Sequence, residues 1–402
     1  MTEKKTNWTG VLFGLAIAVV AAFQQFKLPP VLPVMIELYG YDRVLAGGFM
    51  SVFALAGLAL SWNLGRWMQA HGALRFLIGA FALTLAGTLL TLAAPESGLV
   101  VLAARTLEGV GFAVLAIAGP TFATVNAGPR HLPLAAALIA AWIPIGQVVA
   151  GVVALPMLAE GHWQPLWWIA AGVTIATALW TLSIHRSGAA DLGARPAAGA
   201  QHPPDARERR LIVLAAAVFC LWSAQYIGSM TWLPQLLIDT YGMGRETAVI
   251  VYTLPVVLLG AFNLVGGSLL RAGVPATRVM AVGLGAQLAM WGAMPFLGGG
   301  ALGAIGLAIY AMGAGITPTC LFAMPGIILG PGRAGAHAFG VLMLGRNVGV
   351  IAGPLILAQA YAVLGDWRLV APVIALLGLA PILLLPFLAA PRRRAHHRER
   401  GR

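Results

Sequence analysis

Residues 32–43 read LPVMIELYGYDR, and residues 233–245 read LPQLLIDTYGMGR. Each stretch closes a long apolar run with the same succession: Leu-Pro, an acid, Tyr-Gly, an arginine. Leu32-Pro33, Glu37, Tyr39-Gly40 and Arg43 recur as Leu233-Pro234, Asp239, Tyr241-Gly242 and Arg245. The offset is 201 residues, becoming 202 after one inserted residue. It returns along the chain: Gly65 and Gly72 as Gly266 and Gly273 at 201, Gly151 as Gly353 at 202, and Gly109-x-Gly111 as Gly313-x-Gly315 at 204. One glycine pair means little. Shared order at near-constant spacing marks an internal repeat.

The 402-residue chain is 59% hydrophobic and 9% charged, where a soluble domain carries roughly 25% charged residues. So much apolar surface would aggregate in water, which excludes an ordinary soluble enzyme. A membrane-spanning helix needs about 20 apolar residues. Twelve such runs lie near 10–36, 44–67, 75–94, 99–127, 133–157, 163–185, 211–238, 246–270, 277–298, 301–329, 336–361 and 368–389. They are unbroken, not alternating, which excludes a membrane β-barrel. The predicted fold is an all-α membrane protein of twelve transmembrane helices in two pseudo-symmetric six-helix bundles. Six is even, so the halves share one orientation and are related by an axis along the membrane normal. The bundles are predicted at 1–185 and 211–390. A cytoplasmic linker rich in Ala, Gly, Pro and Arg joins them at 186–210, and a basic tail follows at 391–402.

Lysines and arginines set the orientation. With the N-terminus in the cytoplasm, Arg43, Arg245 and Arg368 fall in outer loops and Lys27, Arg105 and Arg346 fall within spans. The rest of the 25 basic residues gather at the cytoplasmic ends, linker and tail. The net charge of +12 is therefore a topology signal, helped by anionic lipid headgroups, and no nucleic-acid partner is expected. Lys4 and Lys5 precede an apolar run that lacks a small-x-small cleavage site, so the run reads as a retained first helix. The expectation is a multi-pass plasma-membrane protein with both termini cytoplasmic. Cys220 and Cys320 lie singly in apolar runs, giving neither a disulfide framework nor metal-ligand spacing. Trp163, Trp167 and Trp168 suit an interfacial belt.

Two motifs carry a resemblance. The loop after the second span reads GRWMQAHG from Gly65 to Gly72, with Arg75 beyond it. The fourth span holds RTLEGVGFA from Arg105 to Ala113. Together with the repeat, they resemble a major facilitator superfamily transporter over nearly the whole chain. That family's loop signature is Gly-x-x-x-Asp-Arg/Lys-x-Gly. Here Gln69 and Ala70 replace the acid and base, and the second copy keeps Gly266, Arg271 and Gly273 but has Leu270 for the acid. The run FKLPPVLPVM at 26–35, with Trp142 and Pro144, looks nearest to the cyanate/nitroimidazole permease-like branch. The resemblance implies that spans 1, 4, 7 and 10 line a central cavity with 2, 5, 8 and 11 beside it. It also implies that Gly65, Arg66, Gly72, Gly266, Arg271 and Gly273 belong to gating loops. The missing acids leave closure to other contacts, such as Arg66 or Arg271.

A charge at mid-membrane costs about 2.5–3.5 kcal/mol and faces a cavity or a partner. Lys27 lies roughly 25 Å along the first helix; it either snorkels outward or acts as a cavity cation. Arg346 lies roughly 15 Å from either end of its span. It sits beside the spaced glycines Gly345, Gly349 and Gly353, which suit close helix packing. Its fork either binds a carboxylate or pairs with a backbone carbonyl. With no carboxylate in either span to neutralise them, Lys27 and Arg346 are expected to approach one anion from two sides. Arg105 and Glu108 share a helix face, as a satisfied pair or as a proton-linked coupling switch. Gln24 and Gln225 are repeat equivalents at offset 201. With Tyr226, Trp142 and Asn347 they are candidates to orient a solute, and Gln147 and Tyr310 are further polar groups within spans.

The expected function is secondary active transport of a small anion, carboxylate or cyanate-like, by alternating access. The alternative is a proton-coupled exporter of hydrophobic drugs or nitroimidazole-like compounds. No Gly-x4-Gly-Lys-Ser/Thr loop occurs, so energy comes from gradients, with protons as a candidate coupling ion. No cofactor, metal or catalytic residue is expected, and a monomer is the default.

Overall fold

No water reaches the bilayer core, so backbone N–H and C=O groups must pair within the chain, and apolar runs become helices. The computed structural model describes residues 5–128, 130–131, 134–135, 138–139, 141–158, 160–192, 204–330 and 336–389, with no strand among them. The helices are α1 (Trp8–Phe26), α2 (Leu28–Tyr39), α3 (Arg43–Ser51), α4 (Leu55–His71), α5 (Ala73–Ala93), α6 (Gly98–Asn126), α7 (Trp142–Leu158) and α8 (Gln164–Ser187) in the first half. The second half holds α9 (Ala206–Tyr241), α10 (Arg245–Arg271), α11 (Ala276–Ala293), α12 (Ala301–Leu329), α13 (Ala336–Leu364) and α14 (Trp367–Leu388). Among the described residues, 11 stretches are long and apolar enough to cross a membrane, and the shorter α7 occupies the remaining expected span. Exposed apolar side chains such as Leu99, Val282 and Val363 stud the flanks, as lipid-facing surface requires.

Spans 1 and 2 are each more than one helix. The first breaks at Lys27, with Pro29 and Pro30 opening α2; the second passes through a 3-10 turn, Val52–Ala54, between α3 and α4. The expected linker is shorter than 186–210. α9 begins at Ala206, where Asp205 and Glu208 form a capping box that stops the preceding coil. Residues 193–203 of that linker, and the tail from 390, lie outside the described residues.

The repeat is visible in the backbone. Gly40 and Gly242 end α2 and α9 at φ +62° and +64°, and Gly72 and Gly273 turn the second and eighth spans at +86° and +83°. Side chains other than glycine rarely adopt these dihedrals, which explains why both copies retain glycine.

Packing joins the helices by close approach. A Cβ on Gly345, Gly349 or Gly353 would fall 2.0–2.2 Å from the carbonyl oxygens of Ala216, Cys220 and Ala224. The three glycines thus seat α13 directly on the backbone of α9. Gly14 and Gly119 bring α1 and α6 together in the same way. Between the halves, α3 meets α13 and α7 meets α10.

Segments near the N-terminus and the linker meet at one end. Asn7 donates through its backbone N to Asn126 O at 2.9 Å and through Nδ2 to Ala189 O at 2.7 Å. Asn126 Nδ2 donates to Asp191 O at 2.9 Å. The opposite end carries the turns after α2 and α9. There the buried hydroxyl of Tyr41 donates to Pro95 O, and burial raises its pKa above the ordinary tyrosine value.

Candidate functional site

The sequence places three basic residues within spans. The structure separates them into two groups. Lys27 sits at the α1–α2 break and is wholly buried. Its Nζ donates to Glu108 Oε1 at 2.8 Å, Gln24 Oε1 at 2.7 Å and Thr88 Oγ1 at 3.3 Å, and lies 4.6 Å from the Trp167 ring centroid. An ammonium has three hydrogens, and all three have acceptors here. Lys27 has no carboxylate in its own span, but Glu108, on α6, neutralises it, which corrects the expectation that a solute anion does so. Sequence spacing pairs Glu108 with Arg105 on its own helix but cannot show α1 folding against that face. The two-cation clamp of Lys27 and Arg346 loses its ground with it.

Arg105 serves the same break. Pro29 has no N–H, so the Gln25 carbonyl four residues earlier lacks its helical donor. Arg105 Nη2 supplies one at 3.1 Å, Nη1 donates to Gln24 O at 3.1 Å, and Nε reaches Phe49 O on α3 at 3.2 Å. Nη1 also meets Glu108 Oε2 at 2.5 Å. Thr88 Oγ1, on α5, donates to Glu108 Oε1 at 2.8 Å. Gln24 fixes the cluster to α8, donating to Ala170 O at 3.0 Å and Thr174 Oγ1 at 2.7 Å. Two cations and one carboxylate are thus held dry inside the first bundle. Such a group is worth having only with every hydrogen bond in place.

A separate set of polar side chains lies at the seam between bundles. Tyr226 OH, on α9, donates to Gln147 Oε1 at 2.9 Å, and Gln147 Nε2, on α7, donates to Tyr252 OH on α10 at 2.9 Å. One carboxamide thereby bridges two tyrosines of the other half. Trp222 stacks on Tyr226 at 5.2 Å between centroids and 4° between planes. Ser229 and Tyr310 share a hydrogen bond of 2.8 Å.

Arg346 is half-buried, and no carboxylate pairs with it among the described residues. Its Nη1 donates to Asn347 Oδ1 at 3.0 Å. Asn347 Nδ2 lies 3.2 Å from where a Cβ on Gly57 would sit, so the pair faces α4 of the first half. Trp142 is partly exposed and stacks on Phe112 at 6.1 Å. Gln225 is buried with both amide atoms unpartnered, near Gly378 and Leu288. It faces α11 and α14 within the second bundle; by the repeat, Gly228 and Met312 stand for Lys27 and Glu108, and Met312 is an exposed side chain.

Among the loop candidates, Gly266 packs its Cα face on Ile316, and Arg271 donates to Ser268 Oγ at 3.0 Å within its own helix. The side-chain surroundings of Gly65 and Arg66 lie outside what is described. Trp163 and Trp167 do not join an interfacial belt: both are buried, Trp163 Nε1 donating to Tyr39 OH at 3.1 Å. Trp168 is 58% exposed. Thr88, Trp167 and Tyr252 join these two polar groups, and no sequence pattern announces them. An apolar groove of about 480 Å³ also runs between α3, α6 and α13, lined by Val44, Leu45, Val52, Leu55, Leu102 and Ile351 among others.

A search of curated protein sequences finds no match. Among solved structures, the crystal structure of a mutant of the nucleoside transporter NupG matches with a TM-score of 0.75 at 13% identity, covering 94% of this chain and 99% of that one. At that identity the likeness concerns the fold. The family model described as Major Facilitator Superfamily matches residues 14–354. With that match over most of its length, and two six-helix bundles meeting at a polar mid-membrane seam, the chain belongs to the Major Facilitator Superfamily of transporters.

Proposed function

We propose that this transporter carries a small organic anion by alternating access, with Arg346 as the anion-reading group. The observation that supports this is Arg346 itself. It is deep in α13, half-buried, hydrogen-bonded to Asn347 and without a carboxylate partner among the described residues. A solute carboxylate or cyanate-like anion would supply the missing counter-charge, and a guanidinium is shaped to receive it. Lys27 contributes indirectly, through Glu108, because its three hydrogens are occupied. The arginine-rich end, where the N-terminal segment meets the linker, faces the cytoplasm in this reading.

Glu108 is the proposed coupling residue. It joins α1, α5 and α6 through Lys27, Thr88 and Arg105, so its charge is tied to the shape of the first span. Transport by Glu108→Gln is expected to lose the pH dependence of the parent. Retention of that dependence would end the coupling role.

A second reading, a neutral nucleoside-like solute, is favoured by the Gln147–Tyr226–Tyr252 bridge and the Trp222 stack. These groups suit a flat heterocycle, and the solved structural neighbour is a nucleoside transporter. The apolar groove keeps the exporter of hydrophobic drugs as a third arm of the same test. Thermal unfolding of detergent-purified protein with small carboxylates, cyanate, uridine and lipophilic amines separates them. A ligand at a hundredfold its Kd adds about 2.7 kcal/mol. Stabilisation by an anion, abolished in Arg346→Gln, supports the first reading. Stabilisation by uridine or a lipophilic amine, unchanged in Arg346→Gln, overturns it.

A further inference from the structure

The repeated stretches at 32–43 and 233–245 meet in space, and each serves the other. Arg43 Nη2, from the first half, donates to Asp239 Oδ2 of the second at 3.0 Å. Arg245, from the second half, pairs with Glu37 of the first. The repeat equates Glu37 with Asp239 and Arg43 with Arg245, so the two bridges are one contact made twice with roles exchanged.

Each arginine finds more than its acid on the opposite half. Arg43 lies 4.2 Å from the Tyr361 ring centroid at the end of α13. Arg245 Nη1 lies 3.2 Å from where a Cβ on Gly161 would sit, in the loop after α7. Asp239 is held ready: Gln235 Nε2 donates to its Oδ1 at 2.6 Å and Trp367 Nε1 to its Oδ2 at 3.1 Å.

We infer that these crossed bridges are a latch closing the end of the transporter opposite the linker, and that they set how often that end opens. The inference rests on the alternating-access reading but not on any choice of solute. Among the described residues, the ion pairs that join the two halves are Arg43–Asp239 and Arg245–Glu37, and the signature loops at the other end lack their acids. The four side chains are 25–66% exposed, and exposed pairs are individually weak and screened by salt. The latch therefore biases an equilibrium and does not lock it, which suits a gate that must open on every cycle.

Ala358 reports on the latch directly. It is buried at the seam, its Cβ 3.2 Å from the position of a Cβ on Gly47 of the other half. In a Cys220→Ser/Cys320→Ser background, Ala358→Cys should react slowly with a soluble maleimide in purified protein. Arg43→Asp, Asp239→Arg, Glu37→Arg and Arg245→Asp should each speed labelling by about 1.5- to fivefold. The exchanged pair Glu37→Arg/Arg245→Asp should restore slow labelling, and 1 M NaCl should speed the parent. Thermal unfolding of each variant distinguishes opening from misfolding. Single reversals that leave the rate unchanged, or a Glu37→Arg/Arg245→Asp exchange that stays fast while folded, overturn the latch. Labelling needs no solute, so a failed solute search leaves this result standing, and a failed latch leaves the solute test standing.

Discussion

Lys27 Nζ and Glu108 Oε1 lie 2.8 Å apart with neither side chain exposed, which makes two distant sequence positions one ionic unit. Arg105 shares the carboxylate, so the unit contains one acid and two bases. Removing the acid strands both cations, whereas removing Lys27 leaves a neutral Arg105–Glu108 pair. Glu108→Gln should therefore cost about 3–5 kcal/mol of stability, and Lys27→Met clearly less. Thermal unfolding in detergent tests the order; equal losses would refute the three-membered unit.

Arg105→Lys should fail to replace the guanidinium. Lysine is a compact point charge and cannot reach Phe49, Gln24 and Gln25 carbonyls together. Leaving buried carbonyls unpaired costs about 1–3 kcal/mol each. The loss should appear as a lower unfolding temperature despite the conserved charge, and a parent-like temperature would count against the clamp.

Gly349→Ala places a methyl 2.0 Å from Cys220 O, where neither backbone can yield without shifting a helix. A loss of about 1–3 kcal/mol is expected. Gly79→Ala, with nothing within 4 Å of the new Cβ, should stay within about 0.5 kcal/mol of the parent. Measured side by side, the two separate close packing from helix propensity.

Tyr226→Phe and Gln147→Leu remove the two ends of one seam hydrogen bond. Each alone leaves a buried partner unsatisfied, at about 1–3 kcal/mol. Combined, they should lose less than the sum of the two. A double-mutant cycle on unfolding temperature reads the coupling, and strict additivity would show that the bridge contributes nothing.

The repeat, the span count and the end-to-end symmetry were readable in LPVMIELYGYDR and LPQLLIDTYGMGR because periodicity and offset are local properties of a string. The glycine spacing at 345, 349 and 353 likewise announced a bare face, and the structure puts α9 against it. Glu108 as the partner of Lys27 was not readable, since 81 residues and an untold rotation of α1 against α6 separate them. Arg105 pointed to its helix neighbour, but its grip on the proline-freed Gln25 carbonyl depends on α1 breaking at a particular residue. Gln147 stood out only as a polar side chain within a span. What it bridges is decided by how two bundles meet, and no single-chain pattern carries that information.

The crossed contacts of Glu37 with Arg245 and Arg43 with Asp239 also bear on ancestry. A two-fold homodimer repeats every interface contact with the partners exchanged. A single six-helix unit pairing with a copy of itself across the membrane normal would make both contacts from one acid and one arginine, without any further substitution. Gene fusion would then have inherited a finished interface, and afterwards the two copies were free to diverge elsewhere. Lys27, Glu108 and Arg105, buried in one copy, answer to Gly228, Met312 and Ile309 in the other, where the last two are exposed apolar side chains.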